Sequence, residues 1–87
     1  MFVILTYDVG EKRVNKVRKH LKKYLIWVQN SVFEGEITKG KLEKCLMELN
    51  RKIDKNEDSI YVYKVNIASQ VTKDIIGEVK NMDEMFI

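Results

Sequence analysis

Proline is absent from this 87-residue sequence, and cysteine, histidine and tryptophan each occur once. With no proline and only four glycines, no linker divides the chain, and no repeat or low-complexity tract is present. Cys45 stands alone, so it cannot close an internal disulfide. One cysteine and one histidine cannot build a zinc cluster either. A reducing, cytoplasmic compartment is expected. Long hydrophobic runs are missing too. The opening apolar stretch, Phe2 to Leu5, follows no basic residue and ends before Asp8, so neither a signal peptide nor a membrane span is expected. The sequence also lacks G-x-x-x-x-G-K-[ST], G-x-G-x-x-G, H-E-x-x-H and any Ser/His pair in motif context.

What is present is the composition of a folded protein, 45% hydrophobic and 33% charged. The length is that of one domain, residues 1–87. So short a domain buries only roughly 60% of its unfolded surface, which leaves a thin core and makes oligomerisation a common remedy. The formal net charge of +3 conceals an asymmetry. Residues 1–33 carry seven Lys/Arg against Asp8 and Glu11, whereas residues 34–87 carry nine basic and eleven acidic groups. Positive charge gathered on one segment suits a polyanion, although a Lys-rich helix face can equally be a solvated surface.

Residues 2–7 are apolar, aromatic or β-branched and read as a strand buried on both faces. After Asp8-Val9-Gly10, Val14, Val17, Leu21 and Tyr24 recur at helical spacing. Lys12, Lys16, Arg18, Lys19, Lys22 and Lys23 fall on the other side of that helix, with His20 at the stripe's edge as a boundary packing residue. Residues 25–36 are extended in character, but the turn chemistry of Asn30-Ser31 splits them into two short strands. Thr38 reads as an N-cap for a second helix with the stripe Leu42, Cys45, Leu46, Leu49 and Ile53. A polar loop, Asp54 to Asp58, precedes a last strand from Ser59 to Val65, on which Tyr61 and Tyr63 share a side, to stack bases or to serve as core or interface. The resulting order, β-α-β-β-α-β, is that of a ferredoxin-like α+β sandwich. Residues 66–87 add a short strand candidate around Ile75 and Ile76 and an apolar end at Met85-Phe86-Ile87 that docks on its own subunit or on a partner.

Asp8 is the acidic residue singled out by position, at the carboxyl end of the first strand, where an α/β sheet leaves side chains free to meet ligands. It either caps the following helix or holds a metal ion. No second acid lies near it except Glu11, so a metal site needs Asp8 from two subunits.

Four blocks then agree in order and spacing with one family: Tyr7-Asp8-Val9, Asn15-Lys16-Val17, the run from Val28-Gln29-Asn30-Ser31 through Val32-Phe33-Glu34-Gly35-Glu36, and Asp58-Ser59-Ile60-Tyr61-Val62-Tyr63. The chain resembles the Cas-two family, the small CRISPR-associated subunit of the spacer-acquisition machinery. The Q-x-S-V-F-E-G segment is the most specific part, and Ile75-Ile76-Gly77 is similar to the family's tail.

The resemblance implies a ferredoxin-like homodimer with an extra C-terminal strand, residues 66–87 contributing to the dimer contact. It implies a subunit that holds DNA and bridges dimers of the Cas-one integrase during spacer integration. It also implies a metal-dependent endonuclease acting on RNA or DNA. Asp8 is then the catalytic and metal-binding residue, sharing Mg²⁺ or Mn²⁺ with its symmetry mate. Lys12, Arg13, Lys16, Lys19 and Lys23 are the expected nucleic-acid contacts, and Tyr7, Gln29, Ser31 and Phe33 are signature positions. Trp27 departs from the pattern by standing where family members often carry a basic residue, and Arg13 and Arg18 are the candidates to compensate. A toxin-type ribonuclease of similar fold is the alternative, against which the Q-x-S-V-F-E-G segment speaks.

Overall fold

A computed structural model describes residues 1–65 of the chain. The expected strand around Ile75 and the expected role of residues 66–87 in a dimer contact lie outside the described residues. Element order is β1 (Phe2–Asp8), α1 (Glu11–Leu21), β2 (Ile26–Gln29), β3 (Val32–Glu36), α2 (Lys39–Asn50) and β4 (Ser59–Val65). This is the β-α-β-β-α-β succession expected from the periodicity. The strands form one antiparallel sheet in the order β2-β3-β1-β4. Among the described residues no helix is long and apolar enough to cross a membrane.

Both helices contribute to a single apolar cluster on one face of the sheet. Val3, Leu5 and Tyr7 of β1 and Phe33 of β3 meet Val17 and Leu21 of α1 and Leu42, Cys45 and Leu49 of α2. Alternate residues of β1 therefore point into this core, while Phe2, Ile4 and Thr6 are only half-buried on the far face. This corrects the expectation of a strand covered on both sides: among the described residues nothing packs against that second face. Tyr61 and Tyr63 of β4 lie on it too, opposite Thr6 and Ile4, and are exposed.

Local signals account for the connections. β2 and β3 are joined by Asn30-Ser31, with Asn30 at φ +41°, a left-handed conformation that asparagine tolerates better than most residues. Within β3, Gly35 adopts φ +156°, which side-chain-bearing residues rarely take. Thr38 caps α2 as expected, its hydroxyl accepting from the Lys41 N–H at 3.2 Å. Helix α1 ends at Leu21, so Tyr24 follows the helix rather than extending its stripe. There its hydroxyl donates to Glu48 Oε1 at 2.7 Å, a bond that pushes the Tyr24 pKa up to about 12. His20 is buried between the helices, not at the edge of the stripe. Its Nε2 lies 3.0 Å from the carbonyl oxygen of Cys45, and because a carbonyl can only accept, Nε2 carries the proton. Burial also pushes the Cys45 thiol up to about 11, consistent with a core residue rather than a nucleophile.

One buried carboxylate ties the start of α1 to the start of β4. Asp58 accepts from the Gly10 N–H at 2.8 Å, from Arg13 Nε at 2.6 Å and Nη2 at 2.9 Å, and from the Asp54 N–H at 2.8 Å. Arg13 Nη2 also reaches Glu57 at 3.0 Å. A Cβ at Gly10 would fall 2.5 Å from Arg13 Nη2, so glycine is what lets the guanidinium pass this close to the backbone. Arg13, with the N–H groups of Asp54 and Gly10, holds the Asp58 carboxyl far below the ordinary carboxylate range. A depressed folded value means that this stabilisation is complete above the ordinary pKa of about 4 and is lost as pH falls from there. Thermal unfolding is therefore expected to show a midpoint that drops steadily from about pH 5 to about pH 2. Asp58→Asn should melt roughly 10 °C or more below the wild type at neutral pH, with a flatter acid limb. Equal midpoints for the two proteins would show that the clamp does not matter.

Candidate functional site

The end of β1 is where the expected site residues come together. The Tyr7 N–H donates to the Ser31 carbonyl at 3.1 Å, which draws the β2–β3 turn alongside the strand end. Tyr7, Asp8 and Val9 thereby line an open cleft of about 230 Å³ with Val14 and Arg18 of α1 and Asn30 and Ser31 of the turn. Asp8 itself is exposed and pairs in register with Ser59. It does not cap α1: the N-cap is Gly10, without a side-chain hydrogen bond, and Asp58 receives the Gly10 N–H instead. Of the two readings open for Asp8, the structural one is thus excluded. Its carboxylate stands at the mouth of the cleft with no part in holding the helix.

The other signature positions divide between packing and the site. Phe33 is fully buried and Tyr7 nearly so, their rings 6.2 Å apart and tilted by 44°. The Tyr7 hydroxyl, however, faces no hydrogen-bond partner among the described residues. Ser31 lines the cleft, and Gln29 closes β2 beyond a register shift that follows Trp27.

The expected nucleic-acid contacts are not equivalent. Lys12, Lys16 and Lys19 are exposed along α1, as their helical positions suggest. Arg13 is committed to Asp58 and Glu57, so its charge is engaged within the subunit. Lys23 lies past the end of α1 and lines a separate groove with Met1, Tyr24, Ile37, Thr38 and Lys41, at the opposite end of β1 from Asp8. Arg18, which the helical wheel turns toward solvent, is half-buried with its guanidinium 5.0 Å from the centre of the Trp27 ring. The sequence carries a trace of this: Arg18 follows Val14 by one turn, on the side of the helix that meets β2. For Asp58 the sequence shows a place in the last family block but not its role, since Arg13 and Gly10 are 45 and 48 residues away and only Asp54 is near.

A divalent ion takes several oxygen ligands. Among the described residues no group of three or more His, Cys, Asp or Glu could hold one. Asp8 is the carboxylate in the cleft's lining, so most of such an ion's ligands would have to come from water, substrate phosphate or a second copy.

A family model described as CRISPR associated protein Cas2 matches residues 1–73. The chain belongs to this family. It is 58% identical over 76 residues to CRISPR-associated endoribonuclease Cas2 3 of Thermodesulfovibrio yellowstonii, covering 87% of this chain and 86% of that one. It is 45% identical, over the full length of both, to CRISPR-associated endoribonuclease Cas2 of Pyrococcus furiosus. Among solved structures, a crystal structure of Cas2 superimposes with a TM-score of 0.76 at 42% identity, covering 100% of this chain and 98% of the other. Streptococcus pyogenes Cas2 gives 0.74 at 32% identity, covering 86% and 99%. The four sequence blocks point to this same family, and the sheet with two helices on one face is the Cas2 architecture.

Because Asp8 is released from capping, Asp8→Asn is expected to keep the unfolding midpoint within about 3 °C of wild type. A drop of the size that follows loss of an N-cap would restore the structural reading.

Proposed function

We propose that this Cas2 chain acts as a ferredoxin-like homodimer that holds DNA and bridges dimers of the Cas-one integrase during spacer integration. In the same proposal, paired Asp8 carboxylates give it a metal-dependent endonuclease activity on RNA or DNA. The observation that carries the reading is the position of Asp8: a carboxylate freed of structural duty, at the mouth of a cleft that also holds an arginine. The names of the relatives, as endoribonucleases, support the second part.

Homodimerisation is supported by the open face of the sheet. Ile4 has Glu34 and Tyr63 as cross-strand neighbours, Glu34 is flanked in turn by Ile26, and Phe2 and Val65 pair beside them. Ile26, Tyr61 and Tyr63 are each more than half exposed, an apolar surface that a second copy would cover. In the dimer, Asp8 of each subunit would hold one Mg²⁺ or Mn²⁺, with water and substrate phosphate completing its shell. Such an ion supplies an activated water and neutralises charge developing on the phosphate. The chain's own part is to present the carboxylates at an accessible strand end, with Arg18 in the same cleft.

DNA holding is assigned to the exposed side of α1. Replacing Lys12, Lys16 and Lys19 by Glu is expected to weaken binding to all duplex sequences alike. The slope of log affinity against log salt should fall by about 0.9 for each phosphate that the helix no longer neutralises. Unchanged affinity, or weaker binding to a single sequence, would move the DNA path elsewhere.

Asp8→Asn keeps the side chain's size and removes its charge. It should abolish metal-dependent cleavage while leaving the dimer, seen by light scattering, and most DNA binding in place. Retained spacer integration by the same variant would identify holding DNA as the cellular role. Wild-type cleavage by the repurified variant would remove Asp8 from the chemistry.

A further inference from the structure

The cleft beside Asp8 is lined by Arg18, a donor with unused hydrogen-bonding capacity among the described residues. Arg18 in the last turn of α1 and Lys22 at its C-cap, four residues on, both reach the same ring. The Arg18 guanidinium is 5.0 Å and the Lys22 ammonium 4.9 Å from the centre of Trp27. The ring is fixed in turn by its Nε1–H, which donates to the Asn30 carbonyl at 2.9 Å and so attaches it to the turn that walls the cleft. A guanidinium stacked on an aromatic face keeps its N–H groups in the plane, directed away from the ring. One of them, Nε of Arg18, is buried and has no acceptor among the described residues. Leaving such a donor unpaired is costly, and an oxygen-rich anion settling against the guanidinium would give Arg18 the acceptor it lacks. It would also relieve the repulsion between two cations gathered on one ring.

We propose that Arg18, held by its stack on Trp27, grips a phosphate oxygen of the nucleic-acid backbone in this cleft and positions the strand beside Asp8. The proposal rests on the nucleic-acid reading given above and assigns it a specific anchor. Among the described residues Arg18 is the cation that lines the cleft: Arg13 is paired with Asp58 and Glu57, and Lys12, Lys16, Lys19 and Lys22 lie outside the lining. Arg18 is a positioning residue in this scheme, since it acts by orienting the phosphodiester rather than by moving a proton.

Trp27 is the sole tryptophan, so its fluorescence reports on the stack directly. The experiment titrates the full chain, in EDTA, with a short single-stranded RNA and separately with a duplex DNA. Both present the same phosphodiester, and the two arms decide which nucleic acid enters the cleft. The wild type should show a saturable change in Trp27 emission with at least one of them. Arg18→Gln should lose that change, bind roughly tenfold more weakly, and lower the salt slope by about 0.7 for RNA or 0.9 for duplex DNA. Lys19→Gln should lower the slope while leaving the emission change intact, because Lys19 is not on the ring. Arg18→Lys keeps the charge but not the planar fork, and should recover the slope with several-fold weaker binding. It also decides the matter should Arg18→Gln fail to fold. Wild-type affinity and emission response in Arg18→Gln, or in Arg18→Lys, would overturn the anchor while leaving the nucleic-acid reading in place. Absence of binding by the wild type to either probe would overturn both.

Discussion

The bonds made by Asp58 are the constraint on which the site depends. A single buried carboxylate accepts from two backbone N–H groups and from Nε and Nη2 along one edge of a guanidinium. It joins three segments distant in sequence: the turn before α1, the first turn of α1, and the loop that leads into β4. A fully satisfied buried carboxylate contributes modestly in net terms, but removing any partner leaves the others desolvated and unpaired. The clamp therefore acts mainly as a specificity device. It sets where β4 begins against the end of β1, with Ser59 opposite Asp8, and it starts α1 without using the acid nearest to it. Asp8 is available for chemistry because Asp58 is not.

The same division runs through the cations. Seven basic residues occupy the first 33 positions, yet the fold assigns them different work. Arg13 is consumed by the clamp, and Arg18 and Lys22 are gathered on Trp27. Lys12, Lys16 and Lys19 remain in solvent, where they act at long range and are screened by salt. A nucleic acid approaching Asp8 carries charge of the same sign as that carboxylate. Something must offset the repulsion before a phosphate can settle beside it. On the proposed reading, exposed lysines raise the local concentration of strand, and a cation fixed in the cleft converts that attraction into position. Trp27 is compatible with such a site because an aromatic face holds a cation without cancelling its charge.

Much of this is legible in the sequence where the signal is local. The Asn30-Ser31 turn, the Thr38 cap and the α2 stripe each depend on neighbours within a few residues, and each forms as the residue types suggest. The family blocks are legible because their order along the chain survives without knowledge of contacts. Less can be read where the deciding partner is distant. An apolar strand reads alike whether one face is covered or two, so the pattern of β1 suggests burial on a side that is open. The helical wheel puts His20 at the rim of its stripe because nothing in it shows that the Cys45 carbonyl waits on α2, 25 residues on. Arg13 looks like any other base on a basic helix until Asp58 is brought beside it.

The two deficits of the single subunit are of the same kind. Its sheet has an apolar face with nothing against it among the described residues, and its cleft has one carboxylate where a divalent ion takes more oxygens. A larger domain could cure the first with another layer and the second with another acid, each needing its own stretch of sequence. In the proposed homodimer, symmetry supplies both without either addition. An isologous two-fold contact sets each residue i against j and j against i, so only an exposed residue near the axis meets its own copy and becomes a pair. On the proposed reading, the apolar face drives the association and the axis then decides which residues are doubled. Asp8 satisfies the requirements for doubling: it is exposed, it lies at a strand end rather than within the core, and the fold does not need its charge.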